Sequence, residues 1–309
     1  MSSELASHSY IPLSIQPPSV TIKSSPLRVK KTETKILLVV AIGVMTGCSS
    51  SNTTDNKETE NTETTDTADR TQLIVGFDAE YPPYGYMDAD GNYVGFDLDL
   101  AQEVCDRNGW TLVKQPIDWD TKDMELNSGS IDCIWNGFTC TGREDKYTFS
   151  EPYVDNSIVF VVRADSDINT KEDLAGKVVV TQADSSALTA LTNEEDNDEN
   201  LALAASFASL EQVADYNTAF MNLESGIVDA IAVDIGVAQY QLTSRGDQFR
   251  KLDEPLSTEQ YAIGFKLGNT ELRDQVQNTL NEMVEDGTFD KIVANYSDYN
   301  LDQMVCLGK

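Results

Sequence analysis

Residues 131–145 read IDCIWNGFTCTGRED, and residues 149–153 read FSEPY. The first stretch opens as a short apolar run of the kind that forms a buried strand. An Asn-Gly pair then predicts a turn, and the polar segment beyond it contains Thr139, Thr141 and Arg143. Hydroxyls, backbone N–H groups and a guanidinium are the groups that bind a small carboxylate. The stretch therefore predicts either an anion pocket or a surface loop with an incidental arginine.

Charge and length narrow the class of protein. The chain has 309 residues, with 52 acidic and 22 basic side chains and a net charge of −30. Such a surface repels phosphate backbones, and no basic stripe offsets it, so we expect no nucleic-acid binding. The length exceeds what one small core needs, which favours two lobes.

The N-terminal region predicts an exported protein. Basic residues, among them Arg28 and Lys35, precede an apolar run from Ile36 to Met45 that is too short to span a bilayer. Small residues then lead to Cys48, and this pattern resembles a bacterial lipobox, with Met45 in place of the usual leucine. The resemblance implies cleavage before Cys48 and attachment of a lipid to its sulfur; an ordinary thiol after a plain signal peptide is the alternative. We interpret residues 1–47 as the signal region. Its first 27 residues are unusual for a signal sequence, and a translation start assigned too far upstream would explain them.

Residues 48–70 are rich in Ser, Thr, Asn, Asp and Glu. Such a segment cannot bury enough apolar surface to offset the entropy of ordering it. It is predicted to be a disordered acidic tether.

The histidine and cysteine residues give little indication of a functional site. The only histidine, His8, lies in the predicted signal region, so we expect no histidine-based catalytic or metal site. Beyond Cys48, the four cysteines at 105, 133, 140 and 306 form no CxxC pair and specify neither a metal nor a disulfide pairing. Buried thiols are expected at 105 and 133, and no cofactor or metal is predicted.

Patterning indicates alternating strands and helices. A strand is expected at 72–77 and an amphipathic helix at 96–108, which the glycine at 109 ends. The acidic segment 193–200 is expected to be a loop, and 272–296 to form two closing helices that Gly287 separates.

Four segments together carry a resemblance: Asp78–Tyr84, Gly95–Leu100, Trp135–Arg143 and Phe149–Tyr153. In this order they resemble the extracellular solute-binding proteins of family 3, which feed polar amino acids to ABC importers. The resemblance covers about residues 71–297. It implies an α/β fold of the type II periplasmic-binding-protein kind, with two α/β lobes joined by two hinge crossings. Lobe 1 would comprise 71–160 and 256–309, and lobe 2 would comprise 161–255.

The same resemblance implies a binding site for a zwitterion. Arg143 would grip the ligand's carboxylate with Thr139 and the N–H group of Ser185 or Ser186. Asp234, with the carbonyl of Gly137, would take the ammonium. The alternative for the serines and for Asp234 is a helix N-cap. The turn before Arg143 is one residue shorter than the common family pattern, so the role of Arg143 is the prediction most exposed to this departure.

A side-chain chamber is implied at Asp78, Glu80, Tyr81, Trp119 and Gln182. Aromatic walls and a carboxylate favour a basic or neutral polar L-amino acid. The alternatives are core packing for Trp119 and orientation of loop N–H groups for Asp78.

The expected function is that of a monomeric lipoprotein on the outer face of a bacterial cell membrane. It would capture an L-amino acid by hinge closure and deliver it to an ABC permease with its ATPase. A lyase or dehydratase on the same fold is one alternative, since fold alone does not fix function. A sensor or adaptor that signals through a separate partner is another.

Overall fold

A computed structural model describes residues 70–193 and 198–309 of the chain. The predicted signal region 1–47, Cys48 and the predicted tether, except for Arg70, lie outside the described residues. Within the two described ranges, no helix has both the length and the apolar character needed to cross a membrane.

The chain alternates strands and helices throughout. The strands are β1 Gln72–Phe77, β2 Glu80–Tyr81, β3 Gly85–Met87, β4 Tyr93–Val94, β5 Thr111–Pro116, β6 Cys133–Ile134, β7 Tyr147–Phe149, β8 Val154–Arg163, β9 Val178–Gln182, β10 Ser209–Val213, β11 Ala230–Asp234, β12 Phe249–Lys251, β13 Ser257–Tyr261 and β14 Gly264–Lys266. The α-helices are α1 Phe96–Asn108, α2 Lys122–Ser128, α3 Ser186–Thr192, α4 Asp198–Ser206, α5 Tyr216–Glu224, α6 Ile235–Arg245, α7 Thr270–Glu285, α8 Thr288–Ala294 and α9 Leu301–Met304.

Lobe 1 is built on a mixed sheet in the order β5-β1-β6-β14-β7. Strands β5, β1 and β6 run parallel, and β14 is antiparallel to β6 and β7. Because the parallel strands end on one edge, the loops after β1 and β6 meet there, as ligand-binding α/β folds require. Asp78 directly follows β1, and Gly137 lies in the loop three residues beyond the end of β6, so both belong to that edge.

Lobe 2 is built on a second mixed sheet in the order β10-β9-β11-β8-β12, with β13 also paired to β8. The long strand β8 pairs with β13 at its start and with β11 and β12 farther on. Strands β8 and β13 are also the two chain segments that connect the sheets. This antiparallel pair forms the hinge, and Asn156 and Glu259 are directly paired in it.

Local sequence accounts for the elements that frame the site. Helix α1 buries Phe96, Leu100 and Val104, and it ends at Gly109 with φ 70°, a left-handed conformation that glycine adopts without strain. The predicted strand at 72–77, the helix at 96–108 and the paired closing helices are confirmed.

The predicted loop at 193–200 is wrong at its end, because α4 begins at Asp198. Its first-turn acids, Asp198 and Glu199, suit a helix N-terminus, where the helix dipole favours negative charge. Buried thiols at Cys105 and Cys133 are confirmed: both are buried and neither forms a disulfide.

Candidate ligand site between the two lobes

Asp234 is the buried acid at the centre of the site. It ends β11 and precedes α6, but its side chain makes no capping hydrogen bond, unlike an ordinary N-cap aspartate. Its Oδ1 instead accepts hydrogen bonds from Asn156 Nδ2 at 2.8 Å and from the Tyr261 hydroxyl at 2.5 Å. Burial raises the pKa of the Asp234 carboxyl above its usual range. The carboxylate is therefore directed away from the helix it precedes and toward the hinge.

Four buried tyrosines surround this carboxylate. Tyr81 and Tyr84 come from lobe 1, Tyr216 from lobe 2 and Tyr261 from the hinge. Ring centroids are 5.7 Å apart for Tyr81 and Tyr84, 6.0 Å for Tyr81 and Tyr216, and 5.3 Å for Tyr84 and Tyr261. Burial, followed by the charge of Asp234, raises the pKa of Tyr81, Tyr216 and Tyr261. The neutral rings form an aromatic wall that could cover a cation.

A second carboxylate, that of Glu259 on β13, lies beside Asp234. Its Oε1 accepts hydrogen bonds from Thr139 Oγ1 at 2.7 Å, Asn156 Nδ2 at 2.8 Å and Ser186 Oγ at 3.1 Å. Burial and the negative charge of Asp234 raise the pKa of Glu259 to about 7. One carboxylate oxygen thus joins a residue from each lobe to the hinge.

Asp78 and Gln182, two residues predicted for the side-chain chamber, are in direct contact across the lobes. Gln182 Nε2 donates to Asp78 Oδ2 at 2.7 Å and to the carbonyl of Ala214 at 2.9 Å. The other carboxylate oxygen of Asp78 accepts the N–H of Glu80 at 2.8 Å. Burial, partly offset by these hydrogen bonds, raises the pKa of Asp78 to about 6. Asp78 therefore both orients its loop and contacts lobe 2.

The turn at Gly137 needs a glycine. Its φ is +56°, and a Cβ there would lie 2.9 Å from the ring of Tyr261 and 3.0 Å from that of Tyr81. The N–H of Gly137 donates to Asp97 Oδ2 at 2.6 Å, and the Tyr153 hydroxyl donates to the same oxygen at 2.8 Å. Burial raises the pKa of Asp97 to about 7. A buried acid in α1 thus fixes the turn that faces the tyrosines.

Arg143, the predicted partner of a ligand carboxylate, lies over the ring of Phe138. Its guanidinium carbon lies 5.1 Å from the ring centroid of Phe138, and it forms no ion pair with any described residue. Trp119 packs edge-on against the same Phe138, with centroids 5.7 Å apart. The nearby buried Lys122 forms an ion pair with Asp184 of lobe 2 and lies 5.0 Å from the Trp119 ring centroid.

Ser185 is the N-cap of α3. Its Oγ accepts the N–H of Leu188 at 3.1 Å and donates to the carbonyl of Gln182 at 2.8 Å. The capping alternative therefore accounts for its side chain, whereas the hydroxyl of Ser186 is bonded to Glu259.

A cavity of about 620 Å³ opens beside Asp78 and Trp119, within the size range of small-ligand pockets. Residues of both lobes line it, and none of those in the described ranges is Lys or Arg. Its acidic lining residues are Asp78, Glu80, Asp118, Asp120, Glu125 and Asp215. The cavity therefore favours a cationic or neutral polar occupant. In the same described ranges, no cluster of three or more His, Cys, Asp or Glu side chains is arranged to hold a metal ion.

Sequence reasoning missed several of these residues. Asn156 is the buried member of the polar segment 155–157 that starts β8, and Glu259 alternates with exposed residues in β13, so polar residues in the hinge strands were the available signal. The tyrosines at 84, 216 and 261 come from distant segments, and only the fold brings them together. The site residues predicted from the resemblance stay predictions; the structure places Asp78 with Gln182, and Thr139 and Ser186 with Glu259.

Residues 73–299 match the profile of the family described as bacterial extracellular solute-binding proteins, family 3. Among curated proteins, the chain is similar to the L-cystine-binding protein TcyA of Bacillus subtilis, with 32% identity over 85% of this chain and 96% of the relative. It is also similar to the arginine-binding extracellular protein ArtP of Bacillus subtilis, with 27% identity over 83% of this chain and 95% of the relative.

Solved structures show the same likeness. An ancestral arginine-binding protein bound to glutamine superposes with a TM-score of 0.67 and 33% identity, over 74% of this chain and 98% of the other. An ABC uptake transporter substrate-binding protein from Streptococcus pneumoniae with bound histidine gives a TM-score of 0.68 and 33% identity, over 73% and 92% of the chains. The predicted type II periplasmic-binding-protein fold of two α/β lobes is confirmed. The chain belongs to the bacterial extracellular solute-binding proteins of family 3.

Proposed function

We propose that the protein is the substrate-binding component of an ABC importer for a polar L-amino acid. The observation that carries the proposal is Asp234: a buried carboxylate at the hinge, not used as a helix cap, surrounded by tyrosines and without a basic partner among the described residues. A buried carboxylate needs a cation to compensate it. The ammonium group of an amino acid supplies one.

The relatives support this class of ligand. Their names or titles record binding of cystine, arginine, histidine and glutamine. The acidic cavity favours the basic or neutral polar members of this set for the present chain. The proposal rests on the ammonium end of the ligand, because the predicted carboxylate partner Arg143 lies over the Phe138 ring, while the hydroxyls of Thr139 and Ser186 donate to Glu259.

Capture would proceed by closure of the two lobes around the hinge. Asp78 and Gln182 already meet across the lobes, as do Lys122 and Asp184. A ligand that touches Asp234 and the lobe 1 tyrosines at once binds the closed arrangement better than an open one, which is the condition for ligand-driven closure.

A thermal-shift screen of the purified protein against the L-amino acids, ornithine, citrulline and cystine tests the proposal. A ligand at about a hundred times its Kd stabilises the fold by about 2.7 kcal/mol, which raises the Tm by a few degrees. Recovery of the ligand unchanged is expected for a binding protein, whereas turnover would favour the lyase or dehydratase alternative. No shift with any amino acid would refute the ligand class.

We further propose that the protein acts as a monomer that a lipid on Cys48 holds at the outer face of the cell membrane. The small residues before Cys48 and the basic and apolar segments before them support the lipid anchor. Labelling cells with a clickable fatty acid should mark the wild-type protein and leave Cys48→Ser unlabelled. Equal labelling of the two would refute the anchor. Its expected partners are a permease and its ATPase, which crosslinking in membranes would identify.

A further inference from the structure

Glu259 accepts a hydrogen bond from the Thr139 hydroxyl, one of the groups predicted to hold the ligand's carboxylate. The other predicted partners were Arg143 and the N–H group of Ser185 or Ser186, at the start of α3 in lobe 2. In the structure, the hydroxyls of Thr139 and Ser186 both donate to Glu259 Oε1, at 2.7 Å and 3.1 Å. A carboxylate that belongs to the hinge strand β13 therefore already bridges the two lobes, as a ligand carboxylate was expected to do.

The negative charges of Asp234 and Glu259 favour a cationic group of the ligand at this position over the ligand's carboxylate. Asn156 Nδ2 lies 2.8 Å from both Asp234 Oδ1 and Glu259 Oε1, so the two acids share one neutral donor. No ion pair in the described residues involves either acid. A ligand carboxylate would add a negative charge beside these two, whereas an ammonium would compensate them.

Two buried atoms close to the acids lack hydrogen-bond partners among the described residues. They are Asn156 Oδ1, which can only accept, and the hydroxyl of Tyr84, which can accept or donate. A side chain added at Gly236, two residues after Asp234, would collide with that Tyr84 hydroxyl, so the hydroxyl lies against the start of α6. An ammonium has three N–H donors for such acceptors, and a carboxylate has none.

We propose that Glu259 substitutes for the ligand's α-carboxylate, so that the cleft recognises the ammonium end alone and binds primary amines as tightly as the corresponding α-amino acids. The inference rests on the proposed ligand cleft and widens its ligand class to amines with a second cationic or polar end. Arg143 then has no required role in holding the ligand. Glu259 is a specificity-determining residue, because removing it frees the hydroxyls of Thr139 and Ser186 for a ligand carboxylate.

Calorimetric titration with matched pairs tests this. The pairs are L-arginine and agmatine, L-lysine and cadaverine, L-ornithine and putrescine, L-histidine and histamine, and L-cystine and cystamine. Each amine lacks only the carboxylate of its amino acid, and cystamine lacks both carboxylates of cystine. At about pH 8, where Glu259 is ionised, the Kd of the amine should be within about tenfold of that of the amino acid for each pair that binds. An amine that binds more than about tenfold more weakly than its amino acid overturns the inference.

Two variants of Glu259 strengthen the test. In Glu259→Ala, the ratio of amine Kd to amino-acid Kd should rise by about tenfold or more over wild type. Glu259→Gln keeps an acceptor for the three donors and removes only the charge, so the ratio should still rise, though less than in Glu259→Ala, because the repulsion of a ligand carboxylate is lost. It therefore tests the inference if the alanine variant does not fold. Glu254→Ala, an exposed acid before the same strand, is the control for net charge and should leave the ratio unchanged. An unchanged ratio in a folded Glu259 variant overturns the inference.

The outcomes separate this inference from the proposed function. Binding of an amino acid without its amine leaves the proposed function standing and overturns the inference. Binding of an amine without its amino acid supports the inference and refutes the amino acid as substrate. Failure of both members of every pair overturns both.

Discussion

Replacing Asp97 by Asn should flatten the pH dependence of stability. Asp97 is fully buried in α1, and its Oδ2 holds the N–H of Gly137 while its Oδ1 has no hydrogen-bond partner among the described residues. Burial raises the pKa of Asp97 from 3.8 to about 7 in the folded protein. Because the folded pKa lies above the unfolded one, the stability contributed by the neutral acid is complete below about pH 3.8 and is lost as the pH rises through about 7.

The magnitude follows from linkage. A rise from 3.8 to about 7 corresponds to roughly 4 kcal/mol at about 1.36 kcal/mol per pH unit. Integrated between about pH 5 and about pH 8, Asp97 alone should lower the free energy of unfolding by about 2.5 kcal/mol. Asn cannot ionise and can still accept the N–H of Gly137, so the variant should lack this loss. Asp78 and Glu259 titrate in both proteins and cancel in the comparison.

Urea unfolding followed by tryptophan fluorescence at four pH values across this range measures the difference. The free energy of unfolding of Asp97→Asn minus that of wild type should rise by about 2.5 kcal/mol from about pH 5 to about pH 8. Asp106→Asn, the same change at an exposed position of α1, should parallel wild type. Parallel profiles for Asp97→Asn and wild type would refute the reasoning that a buried, ionisable acid supports this turn.

Three further substitutions test the site. Gly137→Ala should lower stability by about 1–3 kcal/mol and weaken ligand binding, because its φ of +56° is strained for alanine and the nearby Tyr81 and Tyr261 rings leave no space for a Cβ. Urea unfolding measures the loss of stability and calorimetry measures the loss of affinity. Wild-type stability and affinity in this variant would contradict the prediction. Arg143→Ala should weaken amino-acid binding by less than about tenfold by calorimetry, since the arginine stacks on a phenylalanine; a loss beyond about a hundredfold would instead support the carboxylate role predicted from the sequence. Ser185→Ala should cost about 1 kcal/mol of stability through the lost N-cap and leave affinity nearly unchanged; unchanged urea unfolding would show that the cap contributes nothing.

The sequence predicted the fold well because its signals are local. Helix α1 has an apolar face and a terminal glycine, and the strand before Asp78 is a continuous apolar run, so both are visible without tertiary information. The order of the family's motifs then supplied the two-lobed arrangement, which local pattern alone does not determine.

The detailed contacts of the site were not predictable in the same way. Glu259 and Asn156 reach the cleft only because β13 and β8 pair antiparallel at the hinge, a pairing between segments about a hundred residues apart. Tyr84 and Tyr261 likewise come from segments far apart in the chain, as do Tyr81 and Tyr216. The family's motifs allowed residue roles to be predicted, but the contacts of Glu259 with Thr139 and Ser186 are visible only in the packed structure.

The central claim is that Asp234 binds the ammonium of a small polar solute between the lobes. The direct test is calorimetric titration of wild type, Asp234→Asn and the exposed control Asp253→Asn with the best amino acid from the screen. Removing one partner of a buried, hydrogen-bonded charge pair costs about 2–5 kcal/mol, so Asp234→Asn should bind at least about thirtyfold more weakly. Its Tm without ligand should not fall, because burial raises the pKa of Asp234 and so disfavours its charged form, whereas the asparagine is neutral and keeps an oxygen acceptor. Wild-type affinity in a folded Asp234→Asn protein would contradict the account.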